Sequence, residues 1–169
     1  MTTQKFETMI ILHVDSNHPL LLEKLKEAGH HNIEAYDQTR EEILENGHLY
    51  EGLVIRSRFD LNKEFLMSLP KLKFIARVGA GWESIDRGYA EQRDIALFSA
   101  PEGNRNAVAE HTLGMILSLF NKLNKADREV RQGIWHREAN RGIELEGKTL
   151  GIIGYGNMGK AFAKKIERF

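Results

Sequence analysis

Residues 147–161 read GKTLGIIGYGNMGKA, and the residue types along them run strand, turn, helix. A short apolar run from Thr149 to Gly154 leads into Gly154, Gly156 and Gly159, spaced G-x-G-x-x-G, and Ala161, Phe162 and Ala163 continue as a helix start. Each glycine meets a separate demand: the first a tight turn, the second close approach of backbone to a pyrophosphate, the third close packing of helix on strand. The free N–H groups and dipole of the helix start then favour an anion. The segment predicts dinucleotide binding, with a plain tight turn as the bland alternative. Gly154 to Lys160 also fits G-x-x-x-x-G-K, the opening of a nucleoside triphosphate loop. That loop needs Ser or Thr next to hold Mg²⁺, and Ala161 offers no oxygen.

Outward from this segment, short β-branched runs alternate with amphipathic stretches. The strand candidates are Met9 to Val14, Ile33 to Tyr36, Leu53 to Ser57, Phe74 to Gly79, Ile95 to Ala100 and Thr149 to Gly154. Leu20 to Ala28, Arg40 to Glu45, Lys63 to Leu69 and Ser84 to Gln92 carry apolar residues at helical spacing beside Lys and Glu. Strands joined through helices run parallel, which predicts an α/β sheet covered on both faces. After Ala100 a Pro-Glu-Gly-Asn loop opens a longer apolar helix, Ala107 to Leu123, so a domain boundary is expected near Pro101, dividing 1–100 from 101–169. Lys125 to Gly147 is charged, holds Trp135, and reads as a connector or arm.

Composition narrows the function classes. Hydrophobic residues make up 41% and charged residues 28%, the range of soluble globular domains. Lys+Arg 24 balances Asp+Glu 24, so no global field draws the chain to nucleic acid or an anionic membrane, and any anion site is local. With no cysteine, a disulfide framework, a thiolate zinc site and a cysteine nucleophile are excluded. The N-terminal run Met9 to Val14 is short, is broken by His13 and lacks a cleavage site, so the start reads as mature protein and a cytoplasmic location is expected.

Two further features sit at predicted strand ends. Gly79, Ala80 and Gly81 form a second glycine loop whose successive N–H groups suit a carboxylate; the alternative is a turn that uses glycine for positive φ. Arg56 and Arg58 put two guanidiniums on the same edge, suited to phosphate or carboxylate, or simply solvated. Glu110 and His111 are helix neighbours and do not face each other, and His30-His31 has no carboxylate at ligand spacing, so neither is a favoured acid/base or metal site.

Taken together, IRSR (55–58), PKLKFIARVGAG (70–81), GNRNAVAEHT (103–112), GIW (133–135) and GKTLGIIGYG (147–156) resemble the D-isomer-specific 2-hydroxyacid dehydrogenases, most closely their phosphoglycerate branch. The resemblance implies a flavodoxin-like substrate domain over 1–100, a hinge near Pro101 and the start of a Rossmann domain binding NAD. Residue by residue, it carries cofactor contacts onto Gly154, Gly156, Asn157, Met158, Gly159 and Ala80. It carries substrate contacts onto Arg56, Arg58, Gly79, Ala80, Gly81, Asn104 and Arg137, with Asn104 lining the interdomain cleft. Trp82-Glu83-Ser84 departs from the family's small residue followed by Asp and Asn, which leaves the loop's shape open.

The resemblance places the family's catalytic Arg, carboxylate and general acid/base His beyond Phe169, so no residue here is assigned a catalytic role and the chain alone is expected to be inactive. It implies hydride transfer between NAD and C2 of a D-2-hydroxy acid, 3-phosphoglycerate first, in serine biosynthesis. The alternative is an NAD-sensing corepressor-like binding module on the same fold. It further implies a homodimer through the 131–147 arm, exchanging Trp135 and presenting Arg137 to the neighbouring site. The competing reading packs Trp135 on its own helix.

Overall fold

A computed structural model describes residues 7–167. The chain forms two compact units, Met1–Ala100 and Pro101–Phe169.

In the first unit, β1 (Ile10–His13), β2 (His31–Glu34), β3 (Gly52–Ile55), β4 (Phe74–Arg77) and β5 (Ala96–Ser99) form one sheet in the order β2-β1-β3-β4-β5, every pair parallel. This is the flavodoxin-like order, and the strand sequence reverses between β1 and β3. All four residues of β3 are buried, as a strand with helices on both faces requires. Leu12, Leu53, Ile55, Phe65, Leu66 and Ile75 form the centre of the core.

The connecting helices start where the sequence supplies caps. In α1 (Pro19–Glu27), His18 accepts from Leu20 N–H and Pro19 fills the first position, where no N–H is missed. In α2 (Arg40–Glu45), Thr39 and Glu42 cap each other's backbone. Asn62 caps α3 (Lys63–Met67) through Phe65 N–H. Arg93 closes the other end of α3, donating to the carbonyls of Leu66, Leu69 and Pro70. Asp86 caps α4 (Arg87–Gln92). That cap explains why α4 begins later than its apolar periodicity suggests: Ile85 lies upstream of it, in a bridge with Leu61.

Two expectations about strands need correction. The second strand lies two residues earlier than the apolar signal placed it. At the sheet edge the ladder to β1, His31 opposite Ile10, fixes its position, while Ile33 stays 38% exposed. The run Thr149 to Gly154 does not form a strand, and Ile153 is fully exposed. A strand is made by its ladder, and among the described residues nothing pairs with this one.

The second unit holds α5 (Arg105–Phe120), α6 (Leu123–Arg131) and α7 (Asn157–Ile166). α5 and α7 pack together, burying Ala109 and Phe162, with Lys165 paired to Glu110 at 2.9 Å. α6 corrects the reading of 125–147 as connector throughout. It has little apolar content, and ion pairs at i,i+4, Arg131–Asp127 and Lys125–Glu129, contribute to it. Lys122 separates α5 from α6 with a left-handed backbone, φ 54°. The stretch after α6 is tied back by Lys122 Nζ to Ala139 O, Asn140 Nδ2 to Glu129 Oε2, and Ile143 N to Phe120 O. Among the described residues no helix is long and apolar enough to cross a membrane.

Candidate functional site

Open parallel sheets bind ligands outside the carboxyl ends of their strands, where the strand order reverses. In this sheet that point lies beyond β1 and β3, and the residues there are Asp15 and Arg56. Asp15 Oδ2 accepts the backbone N–H of Arg56 at 2.6 Å. Arg77, at the end of β4, donates from Nε to the Arg56 carbonyl at 3.1 Å. The backbone of Arg56 is thus held on both sides, while its side chain is exposed and makes no hydrogen bond among the described residues.

Arg58 behaves otherwise. Its Nη1 donates to Val14 O at 2.9 Å and Ala35 O at 2.8 Å, and its Nη2 to Gln38 O at 2.7 Å, with the guanidinium over the Phe59 ring. The expected pair of outward arginines is therefore one outward arginine and one turned onto the ends of β1 and β2.

The glycine loop follows β4. Val78 N donates to Ile55 O, Gly79 N to Arg77 O, and Ala100 N to Gly79 O, so the loop spans the ends of three strands. Neither Gly79 nor Gly81 lies at positive φ, which corrects the alternative that glycine serves that purpose here. A Cβ at 79 would lie 3.1 Å from Arg77 Nη1 and one at 81 would displace the Glu83 carboxylate, both ends of flexible side chains that can move aside. Ala80 lies between them, half-buried. Trp82 packs against the core, so the departure at 82–84 turns an aromatic inward and leaves Glu83 exposed.

In the second unit the fingerprint has the geometry its glycines suggest. Gly154 sits at φ +89°, which L side chains rarely adopt, and a Cβ at Gly159 would collide with the Gly154 carbonyl. Gly156 precedes α7 without a side-chain cap, so the first N–H groups of the helix, from Asn157 and Met158 onward, are not taken by a capping side chain. These features fit the pyrophosphate of a dinucleotide. A cleft of about 600 Å³ beside them is lined by Arg105, Asn106, Asn157, Lys160 and Lys164 among others.

Asn104 precedes α5 without a side-chain capping bond and is exposed. Arg137 is exposed near Glu138, and Trp135 is 77% exposed, so it does not form the local core contact that competed for it. Glu110 engages Lys165 rather than His111, and no metal-ligand cluster exists among the described residues. Titration shifts fall away from these sites. Burial lowers the pKa of His13, whose Nε2 lies 2.9 Å from Asn32 Oδ1. The bond from Lys73 lowers Glu51 and raises Lys73.

Asp15 and Arg77, which hold the backbone of Arg56 at this edge, are residues that the patterns alone did not single out. The signal available was positional: each stands at the carboxyl end of a predicted strand, the edge where ligands gather.

A family model described as D-isomer specific 2-hydroxyacid dehydrogenase, catalytic domain, matches residues 10–169. The D-3-phosphoglycerate dehydrogenase of Archaeoglobus fulgidus is 40% identical over 129 residues, 76% of this chain and 24% of that protein. That of Methanocaldococcus jannaschii is 35% identical over 159 residues, 94% of this chain and 30% of that protein. Among solved structures, NAD+-bound 3-phosphoglycerate dehydrogenase of Entamoeba histolytica superposes with TM-score 0.72 at 30% identity, covering 94% of this chain and 50% of that one. The chain therefore spans a minor part, 24% and 30%, of the two curated relatives.

Proposed function

The chain belongs to the D-isomer specific 2-hydroxyacid dehydrogenase family, and from that premise we propose that it supplies the substrate-binding unit and the pyrophosphate turn of an NAD-dependent oxidoreductase acting on the CH–OH group of a D-2-hydroxy acid, 3-phosphoglycerate foremost. The observation that carries this reading is the fingerprint geometry, Gly154 left-handed and Gly159 closed onto its carbonyl, in front of an uncapped helix start. The identity with phosphoglycerate dehydrogenases supports the choice of substrate.

Each group then has a task. Gly154, Gly156, Asn157, Met158 and Gly159 hold the pyrophosphate through backbone N–H groups. In the loop Gly79 to Gly81, where the Gly79 amide is bound to Arg77 O, the amides of Ala80 and Gly81 orient the substrate carboxylate, and Arg56 takes its phosphate. When bound, NAD accepts the hydride from C2. No residue of this chain matches the family's catalytic Arg, carboxylate or His, so the chain binds and orients without proton transfer. The same reading makes the protein a homodimer whose 131–147 arms exchange Trp135, supported by the exposure of that ring.

Turnover tests it. A protein of the relatives' length carrying this chain is expected to reduce NAD when given D-3-phosphoglycerate, read as NADH absorbance. NAD binding with no turnover of any D-2-hydroxy acid would replace the enzyme with the sensor. The purified 169-residue chain is expected to oxidise nothing.

A further inference from the structure

The sheet of the first unit is packed unequally on its two faces. The crossover from β1 to β2 runs toward the opposite edge from the other three, so a right-handed connection puts α1 on the other face from α2, α3 and α4. The core takes side chains from those three helices and none from α1. α1 buries no residue completely and leaves Leu20 52% exposed. An element with so little buried surface opens at low free energy.

Among the described residues His13 is the only buried polar side chain, and it has no exposure. On β1 it alternates with Leu12, which faces the core, and so it points to the α1 side. Its Nε2 lies 2.9 Å from Asn32 Oδ1, and Asn32 Nδ2 donates to the Leu22 carbonyl of α1 at 3.0 Å. That second bond orients the amide, so Oδ1 is the acceptor and Nε2 carries the ring hydrogen. Nδ1 is a bare acceptor, buried and with no partner among the described residues. A proton on Nδ1 would put a charge and a donor where no acceptor waits, and burial already holds the ring's pKa below its ordinary value.

The charged ring has somewhere to go. Asn32 and Leu22 line a cleft of about 380 Å³ beside α1 and β2, together with Glu34, Glu23, Lys26, His30 and His31. Glu34 stands opposite His13 in the ladder, and of the charged groups on the elements around the ring it is the one that favours the cation. β3 places Val54 on the other side, and the carboxylates and lysines of α1 are exposed. The strand ends stay together, since Arg58 joins Val14 O to Ala35 O through a group that does not titrate. The helix is the part free to move.

We propose that His13 is an acid-sensitive latch: its neutral ring holds α1 down through Asn32, and its protonated ring turns toward Glu34 and releases α1 from an intact sheet. α1 starts close behind Asp15, whose carboxylate holds the Arg56 backbone, so the release is felt at the edge where ligands gather. The latch is independent of the reaction assigned above.

Hydrogen exchange read by NMR on the 169-residue chain tests it. After correction for intrinsic rates, protection of the α1 amides is expected to fall up to about tenfold per pH unit below pH 6.5, the slope of one proton, while the amides of Ala35 and Ile75 keep theirs. His13→Gln, which keeps a donor for Asn32 and cannot titrate, should hold the α1 protection within about twofold over the same range. His18 caps α1 through its ring, and His30 and His31 line the cleft. A variant carrying His18→Asn, His30→Gln and His31→Gln should therefore still show the fall. If His13→Gln does not fold, the wild-type ring answers alone: its nitrogen resonances should show Nε2 protonated at neutral pH and Nδ1 gaining its proton in step with the loss at α1. A fall that persists in His13→Gln, that vanishes in the triple variant, that Ala35 and Ile75 share, or that the wild type lacks overturns the latch, as does a ring titrating out of step with α1.

Discussion

The two units of this chain bury their apolar residues to very different degrees. In Met1–Ala100 the strands and helices close over a core in which Leu12, Leu53, Ile55, Phe65 and Ile75 have no exposure at all. In Pro101–Phe169 the buried hydrophobic residues among those described are Ala109, Leu145 and Phe162, while Met115, Leu119, Trp135, Ile153 and Tyr155 are more than half exposed. The first unit is a layered sheet that satisfies itself. The second is held by one helix pair and by polar ties, and it leaves these side chains open. A turn such as Gly154–Gly159 is set by its own backbone and keeps its shape in either setting, whereas a strand depends on neighbours and is lost without them.

The contrast is most exposed to hydrogen exchange. The Val54 amide, in the centre of the sheet, is expected to exchange at least about a thousandfold more slowly than that of Ile153, after correction for intrinsic rates. Comparable protection at both would mean that Thr149 to Gly154 is paired after all, and the contrast would fall.

Next in size is Phe65→Ala, expected to cost the first unit about 3–5 kcal/mol because a fully buried ring leaves a cavity. Urea unfolding followed by a probe in each unit checks it: the first transition should move and that of α5 and α7 should stay. Movement of both would show that the units unfold as one.

Asn140→Ala sharpens the other side. It removes the bond to Glu129 and should loosen the segment after α6 by about 1 kcal/mol, seen as faster proteolysis between 132 and 146. Unchanged cleavage would shift the credit to Lys122 and Phe120, which hold the same segment.

The smallest expected effect concerns His13. Its pKa in the folded unit lies below the ordinary histidine value of 6.5 because burial disfavours the charged ring. The unfolded chain therefore binds the proton first as pH falls, and the neutral ring's contribution, complete above about pH 6.5, declines below it. The stability of the first unit should drop on acidification, and His13→Gln should flatten that drop. A slope unchanged by the substitution would assign it to other groups.

These differences also decide what was legible in the residues. The strands of the first unit could be read because β-branched runs with helices on both faces need no further information. β2 was displaced because an edge strand's ends are set by its partner rather than by its own hydrophobicity. α6 went unread because its apolar stripe is narrow, Leu123, Ala126 and Val130, in a segment dominated by Arg, Lys, Asp and Glu. Gly154, Gly156 and Gly159 were legible as a site because each has its own backbone reason. Arg56 and Arg58 look alike in sequence, and only the folded edge separates an arginine facing solvent from one that meets Val14, Ala35 and Gln38. Arg77 was hidden inside a motif read for its glycines.

Arg58 and Arg93 share a habit that bears on the environments the first unit can tolerate. Each directs its guanidinium to three main-chain carbonyls, Val14, Ala35 and Gln38 in one case and Leu66, Leu69 and Pro70 in the other. Neither partner in such a fastening titrates, since a guanidinium stays protonated and an amide oxygen carries no formal charge. Concentrated electrolyte weakens a pair like Lys73–Glu51, whose two full charges attract across partly open water, and acid neutralises its carboxylate. The two arginine fastenings contain no second ion to screen and no acid to protonate. The loop ends beside the sheet edge are thereby secured against brine and acid in a way that the surface ion pairs are not.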